Sequence, residues 1–198
     1  MSESSSPVFR NLSGPYGTIV ADPPWMYQKD PGGKSQASGP RRQAEAIYST
    51  LTNEEILALP VRDLAGESAH LYLWFTNPGM FGGRFSDVTP KAIAEAWGFE
   101  FKTVLTWVKP GGGGMGWFFR GQTEHVLFAT RGGKYAAIPA EKREPNVIDS
   151  RKTGHSQKPP AFFDLVERVS PGPYVELFAR QPRLGWDSWG YGHEAVAV

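Results

Sequence analysis

Short apolar runs bounded by glycine, proline or polar residues recur along the chain. Residues 17–22 form an apolar run that ends in an acid, as a buried parallel strand does at its carboxyl end. Similar runs, several of them rich in β-branched and aromatic residues, predict further strands. These strands are predicted over residues 70–75, 101–108, 124–130 and 174–178, and residues 185–189 begin another.

Three segments between these runs have the signals of helices. Over residues 52–59, Thr52 is the predicted N-cap, Glu55 completes a capping box and Pro60 ends the helix. Strands that alternate with helices predict a single α/β domain whose mostly parallel, twisted sheet is flanked by helices. The other two helices are predicted over residues 89–97 and 160–169.

Three polar segments separate the predicted elements. Residues 26–42 are rich in Gly, Lys, Ser, Gln and Pro, and residues 109–123 contain four consecutive glycines. Both segments are therefore predicted to be mobile loops. Residues 132–155 are charged and show little pattern, which predicts a long surface insertion.

The two ends and the composition narrow the class of protein. The Ser-rich start has no apolar core, so we expect a flexible tail over residues 1–15 and no signal peptide. A second tail is expected over residues 193–198, which leaves one domain over residues 16–192. No apolar run approaches the roughly 20 residues that span a bilayer. The absence of cysteine excludes a disulfide scaffold and fits a cytoplasmic location.

Charge is distributed unevenly, although the net charge of the chain is only +1. Residues 101–160 contain ten basic and four acidic residues, a net charge of +6, which leaves −5 for the rest. A basic surface suits a phosphate backbone, and the seven tryptophans include candidates for stacking on bases. Solvated loops with surface lysines are the alternative interpretation.

The tetrapeptide Asp22-Pro23-Pro24-Trp25 follows the first predicted strand and suits methylation of an exocyclic amine on an aromatic ring. Such an amine is a weak nucleophile because its lone pair is delocalised. The Asp22 carboxylate and the Pro23 carbonyl can hold both amine hydrogens and direct the lone pair toward a methyl sulfonium. Pro24 constrains Pro23 to an extended conformation, and Trp25 offers a flat face to the base. A turn followed by a chance tryptophan is the alternative.

The motifs of the chain together resemble the adenine N(6) methyltransferases that carry an Asp-Pro-Pro-Trp motif. This permuted, beta-class family includes the eukaryotic messenger-RNA adenosine methyltransferase and many bacterial and phage members. The resemblance covers roughly residues 16–190. Besides the tetrapeptide it rests, in the family's order, on Leu71-Tyr72-Leu73-Trp74, Trp97-Gly98-Phe99, Trp107-Val108-Lys109, Glu124-His125, His155-Ser156-Gln157-Lys158-Pro159, Glu176-Leu177-Phe178-Ala179-Arg180 and Gly185-Trp186-Asp187-Ser188-Trp189-Gly190.

The resemblance implies a Rossmann-like enzyme that uses S-adenosylmethionine to methylate the N(6) amine of adenine in nucleic acid. The small form with one domain resembles bacterial and phage members, which implies DNA and a bacterial or phage-infected cell. Catalysis is assigned to Asp22, Pro23, Pro24 and Trp25. The cofactor-binding residues implied are Asp22, Lys158, Glu176, Leu177, Phe178 and Arg180, with Lys158 near the cofactor carboxylate and the catalytic acid.

Substrate contacts are expected from the two predicted mobile loops, which can close over a flipped base. Glu124 is similar to a family acid near the target base. The run from Trp117 to Arg120 combines rings and a cation, as a base-contacting loop does, with core packing as the alternative. The predicted substrate-binding residues are Trp25, Tyr27, Lys109, Trp117, Arg120 and Glu124. With four histidines and no helical pair at i, i+4, no metal site is expected, and His125 and His155 are interpreted as structural.

One segment departs from the family pattern. The family usually has an asparagine after the final glycine, and it binds the cofactor ribose. Here Gly190 is followed by Tyr191, Gly192, His193 and Glu194. Either Glu194 or His193 takes over that role, or ribose binding is weakened.

The same residues also bear on other functions. A nucleotide-binding phosphate loop at Gly33-Lys34-Ser35 is excluded because Gln28 stands where the motif needs glycine. A cytosine N(4) methyltransferase usually begins its motif with serine, so Asp22 at this position favours adenine. An RNA adenine methyltransferase and a catalytically silent, nucleic-acid-binding partner subunit of the same fold stay open, as does an oligomer or a protein partner.

Overall fold

The computed structural model describes residues 7–9, 11–25, 51–82, 86–111, 118–152 and 157–190. Within them, seven strands form one sheet in the order β5-β3-β4-β2-β1-β6-β7. The strands are β1 (Tyr16–Ala21), β2 (Ala65–Phe75), β3 (Glu100–Val108), β4 (Thr123–Arg131), β5 (Val147–Asp149), β6 (Tyr174–Leu177) and β7 (Trp186–Trp189).

Six of the seven strands run in one direction, and β4 is antiparallel to its neighbours β2 and β3. The predicted α/β class with a mostly parallel sheet is therefore confirmed. Six strands end, and β4 begins, at one edge of the sheet, which we call the carboxyl edge. Because β1 lies between β2 and β6, Asp22 emerges near the middle of this edge.

In the described part of the chain three α-helices flank the sheet, and they coincide closely with the predictions. They are α1 (Asn53–Leu57), α2 (Pro90–Ala96) and α3 (Pro160–Val169). The predicted capping box is present, since the Thr52 side chain accepts from the Glu55 amide and the Glu55 carboxylate accepts from the Thr52 amide. The Thr89 hydroxyl caps α2 by accepting from the Ala92 amide.

The sheet has a hydrophobic cluster on each face because alternate side chains of a strand point in opposite directions. Ile19 and Leu71 belong to the cluster on the face of α1 and α2. Val20, Trp74 and Phe162 belong to the cluster on the other face, where α3 packs. Glu176 is in register with Val20, so its side chain lies on the α3 face.

The prediction of a surface insertion over residues 132–155 needs a correction. Strand β5 lies within it and adds to the edge of the sheet by pairing with β3. Ile148 is buried while its two neighbours in the strand are exposed. One inward side chain in a charged stretch gives too weak an alternation to predict a strand.

Part of the predicted N-terminal tail packs on the domain. Phe9 is 1% exposed, and its ring lies 5.0 Å from the Trp189 ring in an edge-to-face contact. Leu12 is buried in the same cluster. The loop predicted over residues 26–42 and the tail over 193–198 lie outside the described residues. No helix in the described part of the chain has the length and apolar character needed to cross a membrane.

Gly190 is expected to tolerate no side chain. A Cβ there would lie 2.1 Å from the carbonyl oxygen and 2.6 Å from the nitrogen of Ala179, both backbone atoms. We expect Gly190→Ala to lower the free energy of unfolding by about 1–3 kcal/mol in urea titrations. Gly121→Ala is the control because its Cβ would meet nothing within 4 Å. Equal stability of the two variants would contradict this packing.

Candidate active site at the carboxyl edge

The tetrapeptide forms a tight turn directly after β1. The Asp22 amide donates to the Leu177 carbonyl of β6 at 3.4 Å, which ties the turn to the neighbouring strand. The Trp25 amide donates to the Pro23 carbonyl at 2.8 Å. The Leu51 amide donates to the Pro24 carbonyl at 3.0 Å. These backbone contacts fix the direction in which the Asp22 side chain leaves the sheet.

Trp25 anchors this turn to the core. Its side chain is 8% exposed, and its indole N–H donates to the Trp74 carbonyl at 2.9 Å. The ring packs within the hydrophobic cluster on the face of α1 and α2. Its assignment as a stacking platform stays a prediction, and little of the ring is accessible here. The Pro23 carbonyl accepts from Trp25 but retains a second lone pair, since a carbonyl oxygen has two.

Four charged side chains form a continuous chain of ion pairs along the carboxyl edge. Lys158 Nζ lies 2.9 Å from Asp22 Oδ2 and 3.2 Å from Glu124 Oε2. Lys109 Nζ lies 2.8 Å from Glu124 Oε1. We call these four residues the ion-pair chain. The antiparallel direction of β4 matters here, because it places Glu124 beside the ends of β2 and β3.

The pairing keeps Lys158 and Glu124 charged despite their burial. Burial alone would lower the pKa of Lys158, but attraction by Asp22 and Glu124 outweighs it and raises that pKa. Burial alone would raise the pKa of Glu124, but attraction by Lys158 and Lys109 outweighs it and lowers that pKa. At neutral pH the Glu124 carboxylate is therefore an anion and Lys158 a cation.

Two tryptophans of the sheet lie beneath the ammonium groups. Lys158 Nζ is 4.7 Å from the centroid of the Trp74 ring, and Lys109 Nζ is 5.3 Å from that of Trp107. Ring faces attract cations, so these contacts stabilise charges that are largely removed from water. Both tryptophans lie in the motifs quoted for the resemblance, but no role was predicted for either of them.

Glu176 lies in the same region but without a direct partner. Burial and repulsion by Asp22 raise the pKa of its carboxyl to about 7, against the opposing attraction of Arg183 and Lys158. Within the described residues the side chain of Glu176 forms no hydrogen bond or ion pair, although its backbone pairs with β1 and β7. The sequence predicted a cofactor role for Glu176 but gave no sign of its near-neutral pKa, which depends on charges distant in the chain.

The other predicted site residues occupy varied positions. Leu177 is fully buried, so only its backbone can face a ligand. Phe178 is 6% exposed and has a φ of 65°, an uncommon left-handed conformation for a non-glycine residue. Arg180 and Arg120 are exposed at the carboxyl edge. Tyr27, Trp117 and Glu194 lie outside the described residues, as do Tyr191, Gly192 and His193.

His125 has both ring nitrogens occupied. Nε2 lies 2.6 Å from Asn77 Oδ1, and Nδ1 lies 3.1 Å from Thr106 Oγ1. Its ring stacks on Phe75. These contacts support the structural interpretation of His125, while His155 lies outside the described residues. Across the described ranges, no cluster of His, Cys, Asp and Glu could hold a metal ion.

A mostly parallel α/β sheet with an Asp-Pro-Pro-Trp turn after strand β1 defines a Rossmann-like methyltransferase. The family model for MT-A70 matches residues 16–192. The chain therefore belongs to the MT-A70 family, whose methyltransferases use S-adenosylmethionine as the methyl donor. The expected family resemblance is thereby confirmed, and the chain is a methyltransferase of this class.

Three relatives illustrate the range of the family. The type II methyltransferase M.MunI of a Mycoplasma species is 34% identical over 194 residues, 88% of this chain and 76% of that protein. Human METTL4, an N(6)-adenine-specific methyltransferase, is 29% identical over 91% of this chain and 38% of its own length. Human METTL3, the catalytic subunit of an N(6)-adenosine-methyltransferase, is 27% identical over 86% of this chain and 26% of its own length.

We expect Glu176→Gln to alter the pH dependence of stability. Because the folded-state pKa of Glu176 is raised from 4.5 to about 7, its stabilising contribution is present below pH 4.5 and is lost as pH rises through 7. Relative to the wild type, the variant should therefore gain stability between pH 5 and 8, by at most roughly 3 kcal/mol. Urea denaturation across this range measures the gain, with the exposed Glu141→Gln as control. A constant difference across the range would contradict the raised pKa.

Proposed function

We propose that this protein transfers a methyl group from S-adenosylmethionine to the N(6) amine of adenine in DNA. The observation that supports this proposal most strongly is the position of the Asp22 carboxylate. Lys158 holds it at the carboxyl edge at 2.9 Å, adjacent to the Pro23 carbonyl. Two acceptors side by side suit an amine with two hydrogens. The names of human METTL4 and METTL3 specify the same amine and support the proposal.

The two carboxylate oxygens of Asp22 have separate roles in this proposal. Oδ2 is paired with Lys158, so Oδ1 is available to accept one amine hydrogen. The second lone pair of the Pro23 carbonyl accepts the other hydrogen. Held in this way, the amine directs its lone pair at the methyl group. Bound S-adenosylmethionine would supply the methyl group to this nitrogen and leave as S-adenosylhomocysteine, and the proton that the amine loses would pass to water. The rate gain comes from orientation and fixed charges.

The described residues fit S-adenosylmethionine, which supplies an electrophilic methyl group on a cationic sulfur. The sulfonium and the α-ammonium are both positive, and the Asp22 and Glu176 carboxylates provide complementary charge at the same edge. We propose that Lys158, Leu177, Phe178 and Arg180 complete this site, with Glu194 replacing the family's ribose-binding asparagine.

The basic residues identified in the sequence do not form one face, because β4 returns the chain to the opposite edge. Arg131 is the last residue of β4 and Lys134 follows the strand, so both lie at the edge opposite Asp22. Arg120, Arg151 and Lys152 are exposed at the carboxyl edge. Together with the exposed rings of Phe118 and Phe119, 93% and 89% exposed, these three residues form a surface suited to phosphates and unstacked bases.

We propose DNA as the polymer, with Tyr27, Lys109, Trp117 and Glu124 among its contacts. The match over 76% of a Mycoplasma type II methyltransferase supports this choice and a cytoplasmic role in a bacterial or phage-infected cell. An adenine paired in a duplex must be flipped out, at a cost of a few kcal/mol. The likeness to METTL3 makes RNA the second candidate. The intact ion-pair chain argues against a catalytically silent partner subunit.

Asp22→Asn should lower the rate of methyl transfer to an adenine-containing DNA oligonucleotide by about 100-fold or more, because a charged acceptor is lost. Labelled methyl incorporation at saturating S-adenosylmethionine measures the rate, so that a loss of cofactor affinity in the variant, which calorimetry measures separately, does not enter the comparison. Asp164→Asn, a change at an exposed position of α3, is the control. A wild-type rate in Asp22→Asn would overturn the mechanism.

The double variant Arg151→Ala/Lys152→Ala should weaken DNA binding and flatten its salt dependence. Each lost phosphate contact lowers the slope of log affinity against log salt by about 0.9, so we expect a fall of roughly 2. Fluorescence anisotropy at several salt concentrations measures the slope. The control is Lys134→Ala/Lys142→Ala, away from the carboxyl edge. Equal slopes for both double variants would contradict the proposed surface.

The choice of DNA is tested separately, by comparing methylation rates of the DNA oligonucleotide and a matched RNA. Faster methylation of the RNA would overturn that choice.

A further inference from the structure

Trp74 lies where two parts of the proposed site meet. It is the penultimate residue of β2 and is 1% exposed. Its backbone carbonyl accepts the hydrogen bond of the Trp25 indole N–H, which anchors the turn that carries Asp22. Its ring belongs to the cluster on the α3 face, and the Lys158 ammonium lies 4.7 Å from the ring centroid. Trp74 therefore contacts both the turn of Asp22 and the cation that pairs with Asp22.

The orientation of the Trp74 ring is set by packing and by the cation. The ring packs edge to face with Phe162, at 4.8 Å between centroids, and with Trp107, at 6.1 Å. Its Nε1 is buried and has no hydrogen-bond partner within the described residues. A buried indole N–H usually has a partner, and leaving it unpaired is costly. The ring therefore keeps its face toward Lys158 at the expense of a hydrogen bond.

Trp97 is a matched comparison for Trp74. It is also 1% exposed, but it lies in the cluster on the face of α1 and α2. Its Nε1 donates to the Ile56 carbonyl at 3.2 Å. The two residues have the same size and exposure, so burial alone does not explain the unpaired N–H of Trp74.

Lys158 requires a contact that limits its movement, because its ammonium stands on a flexible stem. The ion pairs with Asp22 and Glu124 engage two of its three hydrogens. A cation is attracted to a tryptophan face most strongly where water is excluded. The Trp74 face therefore restricts the position of the ammonium, and that position in turn orients Asp22 Oδ2.

We propose that Trp74 is a positioning residue for methyl transfer: its ring face holds the Lys158 ammonium, and through it the Asp22 carboxylate, in the orientation that the reaction needs. The inference rests on the proposed function for the identity of the reaction. Trp74 touches neither the base nor the cofactor in this proposal, and it acts only through Lys158 and through the turn that Trp25 anchors.

Fluorinated tryptophans test this role, because fluorine withdraws electron density from the ring face while the ring nearly keeps its shape. Monofluoro-, difluoro- and trifluorotryptophan are incorporated in place of Trp74 alone, and in place of Trp97 as the matched control. Labelled methyl incorporation into the DNA oligonucleotide at saturating S-adenosylmethionine measures the rate. We expect the rate to fall with each fluorine at Trp74, by about 3- to 30-fold for the trifluorinated ring. The same series at Trp97 should leave the rate unchanged.

Urea denaturation of the same proteins measures the contact between the ring and the cation independently of the reaction. The unfolding equilibrium constant should rise stepwise with fluorination at Trp74, because the attraction of the ring face for Lys158 weakens. In the Lys158→Met background this dependence should vanish, since the cation is absent.

Three results would overturn the assignment and leave the proposed function intact. They are a rate that does not depend on fluorination at Trp74, an equal fall for the series at Trp97, and a stability dependence that persists in Lys158→Met. Absence of methyl transfer by the wild type would overturn the proposed function and, with it, the role of Trp74 in the reaction. The urea series would then still decide whether the ring holds Lys158.

Discussion

The carboxyl edge is organised by one cation, the Lys158 ammonium, which is shared between two carboxylates from different strands. Its side chain is 12% exposed, so the charge has left most of its water. A charge in this situation is tolerated only when it is paired, and removing one partner of a buried pair typically costs about 3–5 kcal/mol. Asp22 and Glu124 are the partners of this ammonium, and the two ion pairs fix the positions of both carboxylates. The orientation proposed for Asp22 therefore depends directly on its ion pair with Lys158.

The fold supplies the four members of the ion-pair chain from four separate places. Asp22 follows β1, Lys109 follows β3, Glu124 lies at the start of β4, and Lys158 precedes α3. Only the reversed direction of β4 lets its first residues meet the ends of its neighbours. The same reversal carries Arg131 and Lys134 to the opposite edge, so the topology separates the charges of the proposed site from ordinary surface charges. The adenine substrate and the cofactor are proposed to meet at the one edge where acids, cations and exposed rings coincide.

The sequence predicted those features that depend on local pattern. The apolar run before Asp22 became β1, and the capping box at Thr52 is present as predicted. Strand β5 was not predicted because only one of its three residues, Ile148, is buried, and one buried residue gives no alternating pattern. The burial of Trp25 and the pairing of Lys109 with Glu124 depend on contacts between distant segments, which periodicity does not report.

A comparison of unfolding free energies in two backgrounds tests the role of Lys158 most directly. The substitution is Lys158→Met, made in the wild type and in the double variant Asp22→Asn/Glu124→Gln, with urea denaturation of all four proteins. In the wild type we predict a loss of stability, because two carboxylates lose their cation. In the double variant we predict a gain, because the buried ammonium has no anionic partner left on Asp22 or Glu124. An equal effect in both backgrounds would contradict the account, since it would show that Lys158 acts independently of the two carboxylates.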